Sequence, residues 1–160
     1  MLYLSQEEYI DKVLQRFNMT GGKALMTPLP SYVKLSKLDC PQSDEERAEM
    51  DKLPYASACG SLMYAMITTH LEFFFAMGAI SKYMSNLGKK HWQAVKGIMR
   101  YLSHTKSMRL CYGSQDLSVK VYTDSNYVGD LDKWRSTSGY VFMLAGGAVS
   151  WRSRLQNCIT

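Results

Sequence analysis

The sequence predicts an α+β fold in which helices come first and a small sheet follows. Three features point there. Tyr9, Ile10, Val13, Leu14 and Phe17 fall on one helical face, and so do Trp92, Val95, Ile98, Met99 and Leu102. Leu117, Val119 and Val121 alternate with Ser118, Lys120 and Tyr122, the period of a half-buried strand. Gly146-Gly147 separates the runs Gly139–Ala145 and Ala148–Trp151, a hairpin signal because both central positions accept positive φ.

Taken in order, Leu2–Leu4 reads as the end of a strand. Ser5 with Glu8 three residues on forms a capping box that starts the first helix, and Gly21-Gly22 closes it. Residues 23–52 carry Pro28, Pro30 and Pro41 and then an acidic run, the composition of a linker. Ser43 and Glu46 repeat the capping pattern, which predicts one short exposed helix with a solvated charged face. Pro54 opens the next element. Leu62–Ile80 approaches the length of a membrane-spanning helix, but His70 and Glu72 lie near its centre. An acidic group there disfavours insertion by about 2.5–3.5 kcal/mol, so two buried helices are expected instead. Asn86-Leu87-Gly88 breaks that stretch. The helix after it presents Lys96 and Arg100 away from its apolar face, and Gly97 costs it about 1 kcal/mol relative to alanine. The strand from Leu117 should end at Asp124, with a carboxylate at its mouth. A polar loop of Asp130, Asp132, Lys133 and Arg135 follows, in which Asp130 and Asp132 serve turn formation and solubility.

With 46% hydrophobic and 21% charged residues among 160, the chain is globular in composition, not disordered. Its formal net charge of +5 favours contact with a polyanion, nucleic acid before an anionic membrane. Cys40, Cys59, Cys111 and Cys158 match no zinc or redox spacing and read as free thiols. No secretory signal opens the chain, since Gln6, Glu7 and Glu8 follow Met1–Leu4 at once. A cytoplasmic or nuclear location without a membrane span is the expectation.

Several phrases resemble one family. YTDSNYVGDLDKWRSTSGYVF and GGAVSWRSRLQ are similar to the opening of the RNase H domain in copia-type retrotransposon Pol polyproteins. YLSQEEYIDKVLQRFNM resembles the segment that closes the reverse transcriptase domain of that family. PYASACGSLMYAM and HW-x-A-V-K-x-I-x-R-Y-L resemble the helices between the two. The resemblance divides the chain into a reverse transcriptase remnant (1–22), a linker (23–53), a helical connection segment (54–105) and a truncated RNase H-like domain (106–160). It implies the first three strands of a mixed RNase H-like sheet. Two departures stand out. Thr69-His70-Leu71-Glu72 replaces the usual Thr-Arg-Pro-Asp, and the new His70 reads as incidental. Asn126 stands where many relatives carry an acid.

For the parent, the resemblance implies RNA-dependent DNA synthesis and cleavage of the RNA strand in RNA–DNA hybrids. Such cleavage uses two Mg²⁺ ions held by several carboxylates. Asp124 matches the first of those carboxylates and is the candidate catalytic and metal residue. The second belongs to a T-E-A-E-Y-like helix start expected after Thr160, so no tight metal binding and no activity are expected of this chain. Three histidines remain. His91 reads as a capping or surface residue, His104 as a cation suited to a helix end, and none pairs with a nucleophile. Lys89, Lys90, Lys96 and Arg100 interleave with Trp92 and Tyr101 as a face for weak, non-specific binding of RNA–DNA hybrid or other nucleic acid. The remainder of the polyprotein is the other expected partner. The alternatives are a non-enzymatic basic nucleic-acid-binding module, or a decayed reading frame with no selected role.

Overall fold

Ile10, Val13 and Leu14 turn inward from helix α1 (Glu7–Arg16) and begin the core. A computed structural model describes residues 1–130, 132 and 135–157, with the backbone alone for 126–130. Lys133 and Cys158 lie outside the described residues, as do the side chains of Asn126 and Asp130. The core is helical: Tyr55, Cys59 and Leu62 from α3 (Tyr55–Thr68) meet Met77 and Ile80 from α4 (Phe74–Ile80) and Val95, Ile98, Met99 and Leu102 from α5 (Lys89–Thr105). The apolar run 62–80 thus folds as two helices joined through a 3-10 turn at Leu71–Phe73, and of the expected burial α3 shows only one face, since Met63, Tyr64 and Ile67 stay exposed. No described helix is long and apolar enough to cross a membrane.

Strand β1 (Leu2–Leu4) pairs antiparallel with β2 (Leu110–Tyr112), Leu2 opposite Tyr112 and Leu4 opposite Leu110. This pair joins the first residues to the stretch after α5. The second sheet has the order β3-β4-β5, formed by Lys120–Asp130, Arg135–Leu144 and Gly147–Leu155, all antiparallel. It leans on the helices through Trp151, whose indole N–H donates to the Met66 carbonyl at 3.0 Å. The fold class is α+β, with two small antiparallel sheets.

Several expectations change. The Ser5–Glu8 capping box does not form. Gln6 is the N-cap of α1, and Ser5 Oγ only accepts the Glu7 N–H at 3.4 Å. Pairing with β2 holds the chain extended through Leu4, and Gln6 Oε1 accepts the Thr69 hydroxyl at 2.7 Å, so the helix starts later. The second box forms by half around α2 (Asp44–Met50): Ser43 caps the Glu46 N–H, but the Glu46 carboxylate accepts from Gln42. The hairpin turns at Ala145-Gly146, with φ of 52° and 87°, because Leu144 pairs with Gly147. Gly147 is needed inside the strand, since a Cβ there would lie 2.4 Å from the Tyr112 ring. Strand β3 begins at Lys120 and runs past Asp124 to Asp130. Val121 is exposed on β3, an edge strand of its sheet, and Leu117 and Val119 are exposed in the stretch before that strand.

Candidate nucleic-acid interface

The basic face is built on α5 and on the linker that crosses it. Gly88 N-caps the helix, and its N–H donates to His91 Nδ1 at 2.9 Å. Lys89 and Lys90 therefore stand in the first turn, where the helix dipole disfavours cations. Carboxylates offset this. Lys90 Nζ lies 3.2 Å from Asp39 Oδ1, and Lys89 Nζ lies 3.6 Å from Glu49 Oε2. Lys96 sits with Nζ 5.7 Å from the centre of the Trp92 ring, a cation–π contact. Arg100 has no ion-pair partner among the described residues, and its Cγ packs 3.8 Å from the Cβ position of Gly22.

Residues 25–33 run alongside and leave a groove of about 440 Å³ against the helix. Lys90, Lys96 and Arg100 line it, with the exposed ring of Tyr32 beside them. Gly97 sits under the linker, 3.6 Å from Leu25 Cδ1 as measured from its Cβ position, so the chain crosses there in ordinary contact. The structure thus brings three of the four basic residues to one groove. Lys89 is spent on Glu49 and stands apart.

Asp124 lies elsewhere. It is exposed on β3, opposite Gly139 of β4. A Cβ at Gly139 would come within 2.8 Å of the Phe74 ring, so this glycine lets α4 seat on the sheet, and Asp124 shares that helix-facing side. Among the described residues no group of three or more His, Cys, Asp or Glu side chains could hold a metal ion. Among the described residues, no carboxylate set of the kind that two Mg²⁺ ions need stands with Asp124.

Three polar residues do more than their sequence context suggested. Asp132 is no mere turn former. Its carboxylate accepts from the Lys37 N–H at 3.0 Å, the Ser36 hydroxyl at 3.2 Å and the Tyr83 hydroxyl at 2.8 Å. Partial burial pushes its pKa up, but those hydrogen bonds outweigh it and hold the value low. His91 caps as expected but is fully buried, not a surface residue, because it stacks on Tyr83 with ring centres 3.9 Å apart. Its Nε2 faces the Ser36 carbonyl at 3.2 Å. His70 is not incidental: fully buried, it places Nδ1 2.7 Å from Glu72 Oε1 and pins the turn between α3 and α4. The one sequence signal was position, since all three residues flank breaks between elements.

A helical body carrying a hairpin-built antiparallel sheet defines the chain as an α+β segment. No family model matches it, and no solved structure matches it. Curated relatives do. The chain is 50% identical over 158 residues to the retrovirus-related Pol polyprotein from transposon TNT 1-94 of Nicotiana tabacum, covering 99% of this chain and 12% of that protein. It is 33% identical over 156 residues to the retrovirus-related Pol polyprotein from transposon RE1 of Arabidopsis thaliana, 97% of this chain and 10% of that one. It is also 40% identical over 111 residues to the secreted RxLR effector protein 161 of Plasmopara viticola, 69% of this chain and 78% of that protein. The homologues of this chain are thus retrovirus-related Pol polyproteins from copia-type transposons, and the chain spans about a tenth of the length of the two named here.

Proposed function

We propose that the chain is the part of such a polyprotein that joins the end of the reverse transcriptase to the start of the RNase H domain. The parent would copy RNA into DNA and cut the RNA strand of the hybrid. This chain would hold nucleic acid along α5 without cutting it. One observation supports the binding role above others: Lys90, Lys96 and Arg100 line a single groove beside an exposed tyrosine. Cations on a groove wall release counterions from a phosphate backbone, and an aromatic ring accepts a base of any sequence.

The test uses a labelled RNA–DNA hybrid with Mg²⁺. Binding should weaken steeply as salt rises, and Lys96→Glu with Arg100→Glu should abolish it. No cleavage should appear. Affinity that is flat with salt, or unchanged by the two charge reversals, removes the binding role. Metal-dependent cutting lost in Asp124→Asn restores an enzyme.

A further inference from the structure

His91 is bonded at both ring nitrogens, to two different segments. The Gly88 N–H donates to Nδ1 at 2.9 Å. A backbone N–H can only donate, so Nδ1 keeps its lone pair and the ring is the neutral form with its proton on Nε2. That Nε2–H faces the Ser36 carbonyl, 3.2 Å away. One nitrogen therefore closes the cap of α5, and the other holds the turn of residues 36–40 against the helix.

The closed ring has no good answer to a second proton. It is fully buried and stacked on the phenol of Tyr83, with ring centres 3.9 Å apart. Among the described residues the charged groups that face it are Asp39, Asp132 and Lys90. Both carboxylates are engaged elsewhere. Asp39 accepts the Ser36 N–H at 2.9 Å and pairs with Lys90 at 3.2 Å. Asp132 accepts from Lys37, Ser36 and Tyr83. A proton on Nδ1 would set N–H against N–H at the Gly88 cap, and burial and the Lys90 cation disfavour it further. The part that can give is the turn. Its 3-10 segment, Lys37–Asp39, has no buried residue, and Leu38 is 87% exposed. Lifting it uncovers little apolar surface, whereas opening the core would uncover Tyr55, Cys59, Leu62 and their neighbours.

We propose that His91 is a proton-operated latch: protonation of its ring releases the turn of residues 36–40 from α5 while the helical core stays folded. Once the turn lifts, water reaches the ring and solvates the imidazolium. The open ring takes its proton near pH 6.5, as an ordinary histidine does. The open fraction is therefore level above that pH and climbs below it, approaching tenfold per pH unit while the closed ring stays neutral. The latch is independent of what the groove on α5 holds.

Cys40 reports the state of the turn. It is 9% exposed, and its Sγ donates to the Asn86 carbonyl at 3.1 Å, so a lifted turn carries the thiol away from that partner. Cys59, fully buried in the core, and Cys111, exposed, are the references. The unaltered chain is pulsed with dithiodipyridine, a disulfide that captures thiols even in acid, from about pH 7.5 to about pH 4, and labelled peptides are mapped by mass spectrometry. Labelling of Cys40 relative to Cys111 should be level above about pH 6.5 and climb below it toward tenfold per unit, with Cys59 still protected. His91→Gln keeps an acceptor for the Gly88 N–H without a titrating ring, so its Cys40 labelling should be level across the range. Protection of Cys40 throughout overturns the proposal. So does Cys59 rising in step with Cys40, which is general unfolding, and so does the same rise in the variant. Should circular dichroism show the variant unfolded, the bend in the unaltered chain decides. A bend near pH 6.5 supports the latch, and one at about pH 4 or lower, the carboxylate range, overturns it.

Discussion

Tyr83 donates its hydroxyl to Asp132 Oδ2 at 2.8 Å, and that bond ties Asp132, between β3 and β4, to the helical body. The same carboxylate holds Ser36 and Lys37, so three separate parts of the chain meet at one side chain. Asp132→Ala should therefore cost about 1.5–3 kcal/mol, the range for hydrogen bonds to a charged group, whereas Tyr83→Phe removes one bond and should cost about 1 kcal/mol. Urea unfolding of both single variants and the double variant measures the coupling. Additive losses would show that the contact does not join the two halves.

Asp132 also sets an acid limit. Its folded pKa is held below the unfolded one, chiefly by the Lys37, Tyr83 and Ser36 donors acting against partial burial. The stability it contributes is therefore fully present above the ordinary carboxylate range and is lost as pH falls through the lowered value. Asp132→Asn should have a flatter acid limb in a plot of unfolding midpoint against pH. An acid limb identical to that of the unaltered chain contradicts this.

His91 acts in a higher pH window. Burial lowers its pKa and nearby Lys90 adds to the effect, while the Ser36 carbonyl, Asp39 and Asp132 act against it. Its Nδ1 accepts the Gly88 cap, so protonation there forfeits that bond. The unfolded ring takes a proton near pH 6.5, as an ordinary histidine does. The folded ring does so only at lower pH. Between those two values the unfolded state binds more protons, so stability falls as pH falls. The unfolding midpoint should drop between pH 7 and pH 5, and His91→Gln should flatten that slope even though it lowers the midpoint at neutral pH. Parallel slopes would assign the pH dependence to other groups.

Helix faces were legible in the sequence because burial in α1 and α5 follows a single 3.6-residue period: Ile10, Val13 and Leu14 in one, Val95, Ile98, Met99 and Leu102 in the other. The hairpin was legible to within one residue. Gly147 was misassigned because its reason for being glycine is the ring of Tyr112, a contact between distant parts of the chain. Leu110–Tyr112 was missed for the same cause: three residues carry no period, and only pairing with Leu2–Leu4 makes them a strand. The basic groove was half legible. Helical spacing gives Lys96 and Arg100 a common face, but the ion pairs of Lys89 and Lys90 come from a linker that reads as solvated. Asp132 and His91 were underrated because local patterns show caps and turns and do not show which distant donor reaches them.

Asp124 should prove silent. It is exposed, and no metal-binding group forms around it among the described residues. Asp124→Asn should change stability by no more than about 0.5 kcal/mol, the usual range for surface substitutions away from special features. Thermal unfolding with and without millimolar Mg²⁺ checks this. A Mg²⁺-dependent rise in midpoint that vanishes in the variant would reveal a bound ion that this carboxylate helps to hold.

Two glycines at the same helix should respond to alanine with opposite sign. Gly97 is interior to α5, where glycine is less favourable than alanine by about 1 kcal/mol. A Cβ there would find Leu25 Cδ1 at 3.6 Å and the Pro28 carbonyl at 3.9 Å, which is ordinary contact. Gly97→Ala should therefore stabilise the chain by about 0.5–1 kcal/mol, partly by restricting the unfolded state. Gly88 is the N-cap, in extended backbone, and conformational freedom is not its reason for being glycine. A Cβ there would fall 1.7 Å from the Asp39 carbonyl oxygen and 2.8 Å from its carbon. Those atoms are backbone, held in a 3-10 turn by Ser36 and Asp39 themselves, so they cannot swing aside as a side-chain tip would. Gly88→Ala must push that turn away from α5, straining the His91 cap and the Lys90–Asp39 pair together. The cost should be about 1–3 kcal/mol, as for overpacking. Denaturant midpoints of the two variants measured side by side decide the matter: if both lie below the unaltered chain, the linker packs on Gly97 more tightly than ordinary contact allows.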